Sequence, residues 1–139
     1  MRLKKWLLLV LTGNITLLYA ENIDLNTLKG NWHLRVMDGY DVRKVRAILD
    51  FQLQKMKLEG FDACNRISGA LRKDTNNTYH SQLTATKMAC RGQSFIFVST
   101  RLYEAIAEGF TIKAEKRYGV DGITLKSKSH DLFLKRMGE

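Results

Sequence analysis

The chain has 139 residues, 45% of them hydrophobic and 27% charged, and its 23 Lys and Arg outweigh 14 Asp and Glu for a formal charge of +9. That length suits one domain of ordinary size with a real but modest core. No internal repeat or low-complexity segment appears, and the absence of proline leaves strand and helix interiors without hard breaks.

The first twenty residues read as an export signal. Arg2, Lys4 and Lys5 precede the apolar run Trp6 to Leu11 and a second apolar patch at Ile15 to Tyr19. Leu18-Tyr19-Ala20 is an acceptable cleavage tripeptide, followed by Glu21. A single membrane span is the competing reading, but Gly13, Asn14 and Thr16 interrupt a run that needs roughly 20 mostly apolar residues. Residues 21–139 then form the mature domain, periplasmic or secreted. Three basic and no acidic residues leave with the signal, so its charge is +6.

After the lead-in Asp24 to Gly30, Trp32, Leu34 and Val36 alternate with His33 and Arg35, the period of a half-buried strand. Asp38-Gly39 marks a turn. A second strand is expected from Val45, with Leu49, Phe51 and Leu53 on one face, and Lys55 to Glu59 either extends it or forms another. Arg66 to Arg72 reads as a strand, Lys73 to Asn77 as a turn, and Tyr79 to Leu83 as the returning partner. Thr84 to Met88 extends the ladder.

Between Gln93 and Glu108 the period changes. Phe95, Val98, Ser99, Leu102, Ala105 and Ile106 recur at three and four, predicting a helix that starts near Gly92 or Ser94 and stops at Gly109. Phe95-Ile96-Phe97-Val98 also fits a strand. The tail is a meander. Phe110, Ile112, Ala114 and Tyr118 share a face, Gly119 to Gly122 turns the chain, and Ile123 and Leu125 resume the alternation. A last turn over Ser127 to Asp131 precedes Leu132 to Arg136. Sequential strands with short turns and one helix predict an α+β domain, an antiparallel sheet packed on that helix and able to curl into a partial barrel.

Cys64 and Cys90 are the two cysteines. In an oxidising compartment they read as a disulfide staple. Closing that loop stabilises by about 3–4 kcal/mol in the chain-entropy description. A reactive pair is the alternative, but there is no Cys-x-x-Cys spacing, and only Lys87 and Arg91 stand near Cys90.

Cys64-Asn65-Arg66 followed by Gly69, then Thr86-Lys87-Met88-Ala89-Cys90, resembles the META domain, also called the HslJ-like family. The resemblance takes in Trp32, the helix after Cys90, and the strands Ile123-Thr124-Leu125 and Leu132-Phe133-Leu134, so it covers essentially all of the mature chain. Phe61-Asp62-Ala63 departs from it, since the family more often has a glycine adjoining the cysteine. The resemblance implies a curved antiparallel sheet wrapping a helix, in exported or envelope-associated bacterial proteins linked to stress and sometimes to virulence. A similar fold occurs in a lipid-binding pilot protein for a secretin. The resemblance implies no catalytic residues.

The residues offer no catalytic set of their own. His33 and His80 fall on expected wet strand faces and His130 in a turn, none within a metal or nucleophile motif. With the cysteines paired, no zinc set remains, and no cofactor is expected. Glu104 and Glu108, four apart on the helix, read as a solvated face. Asp62 and Asn65 read as side chains that bond backbone at the bend beside Cys64. Asn76-Asn77-Thr78 is a glycosylation acceptor by the basic rule, and Asp74 stands two before Asn76 as in the extended bacterial acceptor. Clusters such as Arg66/Arg72/Lys73, Lys113/Lys116/Arg117 and Lys126/Lys128/Lys135/Arg136 suit anionic partners, although wet strand faces carry lysines anyway and export disfavours nucleic acid.

The expectation is a monomeric, non-catalytic envelope binding module that contacts a protein or lipid and touches membranes peripherally at most. Its mark is a concave apolar groove, rimmed by Lys and Arg, between the helix and the curved sheet; if that space is fully packed with side chains, a protein partner gains over lipid. The rival is a secreted inhibitor or virulence-type interaction protein, marked by an extended exposed loop. An enzyme needs two or more of His33, His80, His130, Asp62 and Glu104 to meet in a pocket.

Overall fold

A computed structural model describes residues 27–138. The segment read as an export signal lies outside them, as do Asp24, Leu25 and Asn26 of the lead-in. The elements run β1 (Asn31–Met37), β2 (Tyr40–Asp41), a 3-10 turn (Arg43–Val45), β3 (Ile48–Gln52), β4 (Lys57–Phe61), β5 (Arg66–Ala70) and β6 (Arg72–Lys73). They continue with β7 (Tyr79–His80), β8 (Thr84–Ala85), α1 (Gln93–Glu108), β9 (Phe110–Arg117), β10 (Val120–Ser127) and β11 (Asp131–Arg136).

The strands pair antiparallel in the order β6-β7-β9-β10-β11-β1-β3-β4-β5-β8, with β2 beside β1. Only the buried Leu71 separates β5 from β6, yet these two strands stand near opposite ends of that order. A chain that short can link them only if the sheet curls back on itself. The fold is therefore α+β, a curved antiparallel half-barrel packed on one helix.

Helix α1 closes the open side because its apolar stripe matches the concave face. Val98, Leu102, Ala105 and Ile106 are buried among Leu34, Leu49, Ile123, Leu125 and Leu134. Gly109, with φ +100°, ends it where an added Cβ would press on Thr78 Cγ2 at 3.0 Å. Its start has no side-chain cap; the Ile96 N–H bonds the Gly92 carbonyl at 3.1 Å.

Three local expectations need correction. A bulge between Leu34 and Val36 shifts the β1 register, so Met37 is fully buried and Val36 is not. Val45 belongs to the 3-10 turn rather than to a strand, and β3 starts at Ile48. Tyr118 leaves the β9 face altogether. With Gly119 it forms a two-residue hairpin turn at φ +54° and +73°, flanked by the Arg117–Val120 pair, and its ring is exposed.

Candidate functional site

The corner around Cys64 is built from the bend after β4. The Asp62 carboxylate is buried; Oδ1 accepts the N–H groups of Cys64 and Asn65 at 2.9 and 2.6 Å, and Oδ2 accepts the Ser99 hydroxyl of α1 at 2.8 Å. One side chain thus shapes the bend and ties it to the helix. Asn65 Oδ1 accepts the Met88 N–H at 2.6 Å and the Thr86 hydroxyl at 3.3 Å. Thr86 in turn accepts the Arg66 N–H through Oγ1 at 3.1 Å. The Cys64–Cys90 disulfide, with Cα atoms 4.7 Å apart, fastens the same segment again. Gly69 lies where a Cβ would run into Ser81 Oγ and stand 2.9 Å from the Gln82 carbonyl oxygen. These residues hold structure, and Met88 presents an exposed side chain beside them. Trp32 is buried on β1, its indole N–H donating to the Leu28 carbonyl at 3.1 Å under the Arg136 guanidinium.

Beside this corner, the 3-10 turn and the start of α1 flank an open groove of about 940 Å³. Its apolar surface comes from Tyr40, Val42, Val45 and Phe97, with Ser94 at the helix start. Tyr40 meets Phe97 edge-on at 5.4 Å between ring centroids. Arg43, Lys44 and Arg46 form the rim. Asp41 holds Arg43 through two parallel bonds of 3.0 and 2.8 Å, whereas Lys44 and Arg46 have no ion-pair partner among the described residues. A second hollow of about 350 Å³ lies on the other side of the turn, sharing Lys44 to Arg46 and adding Phe61, Met88, Arg91 and Phe95. The 3-10 turn is thus a basic ridge between two partly apolar depressions. The space between helix and sheet itself is filled by the buried core.

His130 overturns the reading of a surface turn residue. It is buried at 8% exposure, with Nδ1 2.7 Å from Asp38 Oδ2 and Nε2 2.8 Å from Glu104 Oε2. Asp38 Oδ2 also accepts from Arg101 at 2.7 Å, and Oδ1 accepts the Asp131 N–H at 2.8 Å. Burial alone would depress the imidazole pKa, but its bonds to Asp38 and Glu104 outweigh that and hold it above the ordinary value. Burial also pushes the Asp38 carboxyl up; the Asp131 N–H, His130 and Arg101 outweigh it and hold the group below its usual range. Glu108 likewise is no idle surface residue: its carboxylate bonds the Ser127 hydroxyl and the N–H and hydroxyl of Ser129.

His33 and His80 are half-buried; His33 Nε2 lies 3.1 Å from the Arg43 carbonyl oxygen. Burial lowers the His33 pKa. Of the five candidates for convergence, only His130 and Glu104 meet, and neither lines a described hollow. Among the described residues no cluster of three or more His, Cys, Asp or Glu is placed to hold a metal ion. Asn76 is exposed in the turn between β6 and β7, where Asn77 has φ +57°. Sequence reasoning missed Asp38 and Arg101 as members of the His130 network, because the Asp38–His130 pair spans 92 residues and has no local pattern.

Comparison with known proteins adds three findings. The family model described as META domain matches residues 24–137. No curated protein matches the sequence. Among solved structures, an NMR structure of a protein from Burkholderia xenovorans is 18% identical with a TM-score of 0.60, covering 82% of this chain and 86% of its own. A second NMR structure is 21% identical with a TM-score of 0.62, covering 78% and 90%. At these identities the likeness concerns the fold alone.

Proposed function

This chain belongs to the META domain family, and on that premise we propose that it is a non-catalytic, stress-associated binding module of the cell envelope whose partner is an acidic, apolar-sided protein segment. The groove between the 3-10 turn and α1 carries this reading. Its floor of Tyr40, Val42, Val45 and Phe97 offers apolar contact, and Lys44 and Arg46 on its rim, without an ion-pair partner among the described residues, favour carboxylates. Among the described residues the space between helix and sheet is filled by buried side chains, which favours a surface-docked protein over a lipid. The Cys64–Cys90 disulfide suits an exported protein.

Two observations support the non-catalytic part. His130 has both ring nitrogens engaged with carboxylates, and the carboxylate of Asp62 is occupied by two backbone N–H groups and a hydroxyl. The rival reading, a secreted inhibitor, calls for an extended exposed loop. The exposed segment from Thr86 to Ala89 is instead pinned by Arg66, Asn65 and the disulfide.

A photoreactive phenylalanine analogue at Phe97, used in cells that express the native chain, tests the proposal. The expected adduct joins position 97 to an acidic stretch of an envelope protein, and Lys44→Glu with Arg46→Glu reduces its yield at least about tenfold, the effect of losing roughly 1.4 kcal/mol. Adducts to lipid alone, or a yield indifferent to the charge reversal, would overturn it.

A further inference from the structure

The two nitrogens of one imidazole face two carboxylates here, and that geometry has a consequence for charge. A neutral imidazole carries one N–H and can satisfy one carboxylate; an imidazolium satisfies both. With Asp38 Oδ2 at 2.7 Å and Glu104 Oε2 at 2.8 Å, the observed arrangement is that of the charged ring. The position is fixed by the chain: the His130 N–H donates to Ser127 Oγ at 3.0 Å, and its carbonyl accepts the Ser127 N–H at 2.9 Å.

We propose that His130 is a protonation-operated latch that pins α1 to the β1–β2 and β10–β11 turns and thereby holds the helix wall of the groove. When His130 loses its proton, one carboxylate must let go. Asp38 keeps Arg101 and the Asp131 N–H and is largely enclosed, its side chain 16% exposed. Glu104 has a side chain 54% exposed, so water can take it. The remaining N–H therefore stays with Asp38, and Glu104 releases.

The other charges around the ring agree with that order. Asp131 is neutralised by Arg117 at 2.8 Å, and Glu108 is bonded to Ser127 and Ser129 in the same turn. Arg101 reaches Asp38 from the helix side, and it also lies over the Phe97 ring at 4.0 Å. Phe97 is the groove wall. Glu104 stands on α1 about two turns from Phe97, so the bond that breaks on deprotonation is one that ties the groove-bearing helix to His130, while the Asp38–Arg101–Phe97 contacts persist.

The direction of the switch follows from the raised imidazole pKa. The latch is fully closed below the ordinary histidine value and opens as pH rises through the elevated folded value.

Imidazole NMR of the full chain from about pH 5 to about pH 9, the range over which histidine changes charge, reads the latch without any ligand. The expected result is a His130 midpoint above the ordinary value of about 6.5. Glu104→Gln, at an exposed position that folding tolerates, should lower that midpoint, and α1 amides around residue 104 should exchange faster above the midpoint after correction for intrinsic rates. A midpoint at or below the ordinary value, or helix exchange without a pH step, would overturn the proposal.

Coupling to the groove rests on the binding function proposed above and is read separately, with a synthetic amphipathic Leu/Glu peptide as probe. Its affinity should fall at least about fivefold across the midpoint, the low end of ordinary coupling between sites. The fall should be absent in His130→Gln. Equal affinity on both sides of the midpoint overturns the coupling. A peptide that binds at no pH counts against the groove reading, while the NMR result stands for the latch on its own.

Discussion

Ala63 shows how a single residue can carry cost at a structural corner. It is buried and holds φ +86°, a conformation that clashes with a Cβ and that glycine adopts freely. The family resemblance already marked this place, because a glycine more often adjoins the cysteine there. Ala63→Gly is expected to raise stability by about 0.5–1 kcal/mol, read as a higher urea midpoint with unchanged slope. Asp62, one residue earlier, offsets the strain with its three accepted hydrogen bonds. The residue types at this bend were legible in sequence, since Asp and Asn beside a cysteine suit backbone bonding. Their partners Ser99 and Met88 were not, because those contacts span 37 and 23 residues.

Helix α1 is the element on which core, corner and groove all depend. Its buried stripe fills the half-barrel, Ser99 reaches Asp62, Phe97 walls the groove, and Glu104 and Glu108 reach the β10–β11 turn. The period of three and four located it from Gln93 to Glu108, as observed. Periodicity sorts apolar from polar faces, so it read Glu104 and Glu108 as solvated and had no means of showing what the polar face meets. Leu102 is fully buried at the centre of the stripe. Leu102→Ala is expected to cost about 2–5 kcal/mol, measured by thermal or chemical unfolding, because the surrounding sheet can only partly collapse into the cavity. The strands behaved differently. Alternation put Leu49 and Phe51 of β3 and Phe110 and Ile112 of β9 on the buried face, but a one-residue bulge in β1 moved the inward position from Val36 to Met37, and alternation cannot anticipate an inserted residue.

At the level of the whole molecule, the disulfide joins the bend before β5 to the segment leading into α1. Together with Asp62 and Asn65 it fastens the helix start to one end of the half-barrel, while His130 and Glu108 fasten the other end of the helix. Replacing both cysteines with serine should lower stability by about 3–4 kcal/mol. That is a large share of the 5–15 kcal/mol ordinary for a domain. Denaturant unfolding of the oxidised and substituted proteins checks it, and the loss should be independent of pH through the His130 transition because the two fastenings share no atoms.

By itself the sequence determined the α+β class, the helix bounds, the cysteine pair and the family, because each is written in local period, local residue type or a short motif. Tertiary structure alone decided the groove and the His130 network. Both arise where the curl of the sheet brings the β1–β2 turn, the 3-10 turn, α1 and the β10–β11 turn together, and contacts across so many residues leave no pattern along the chain.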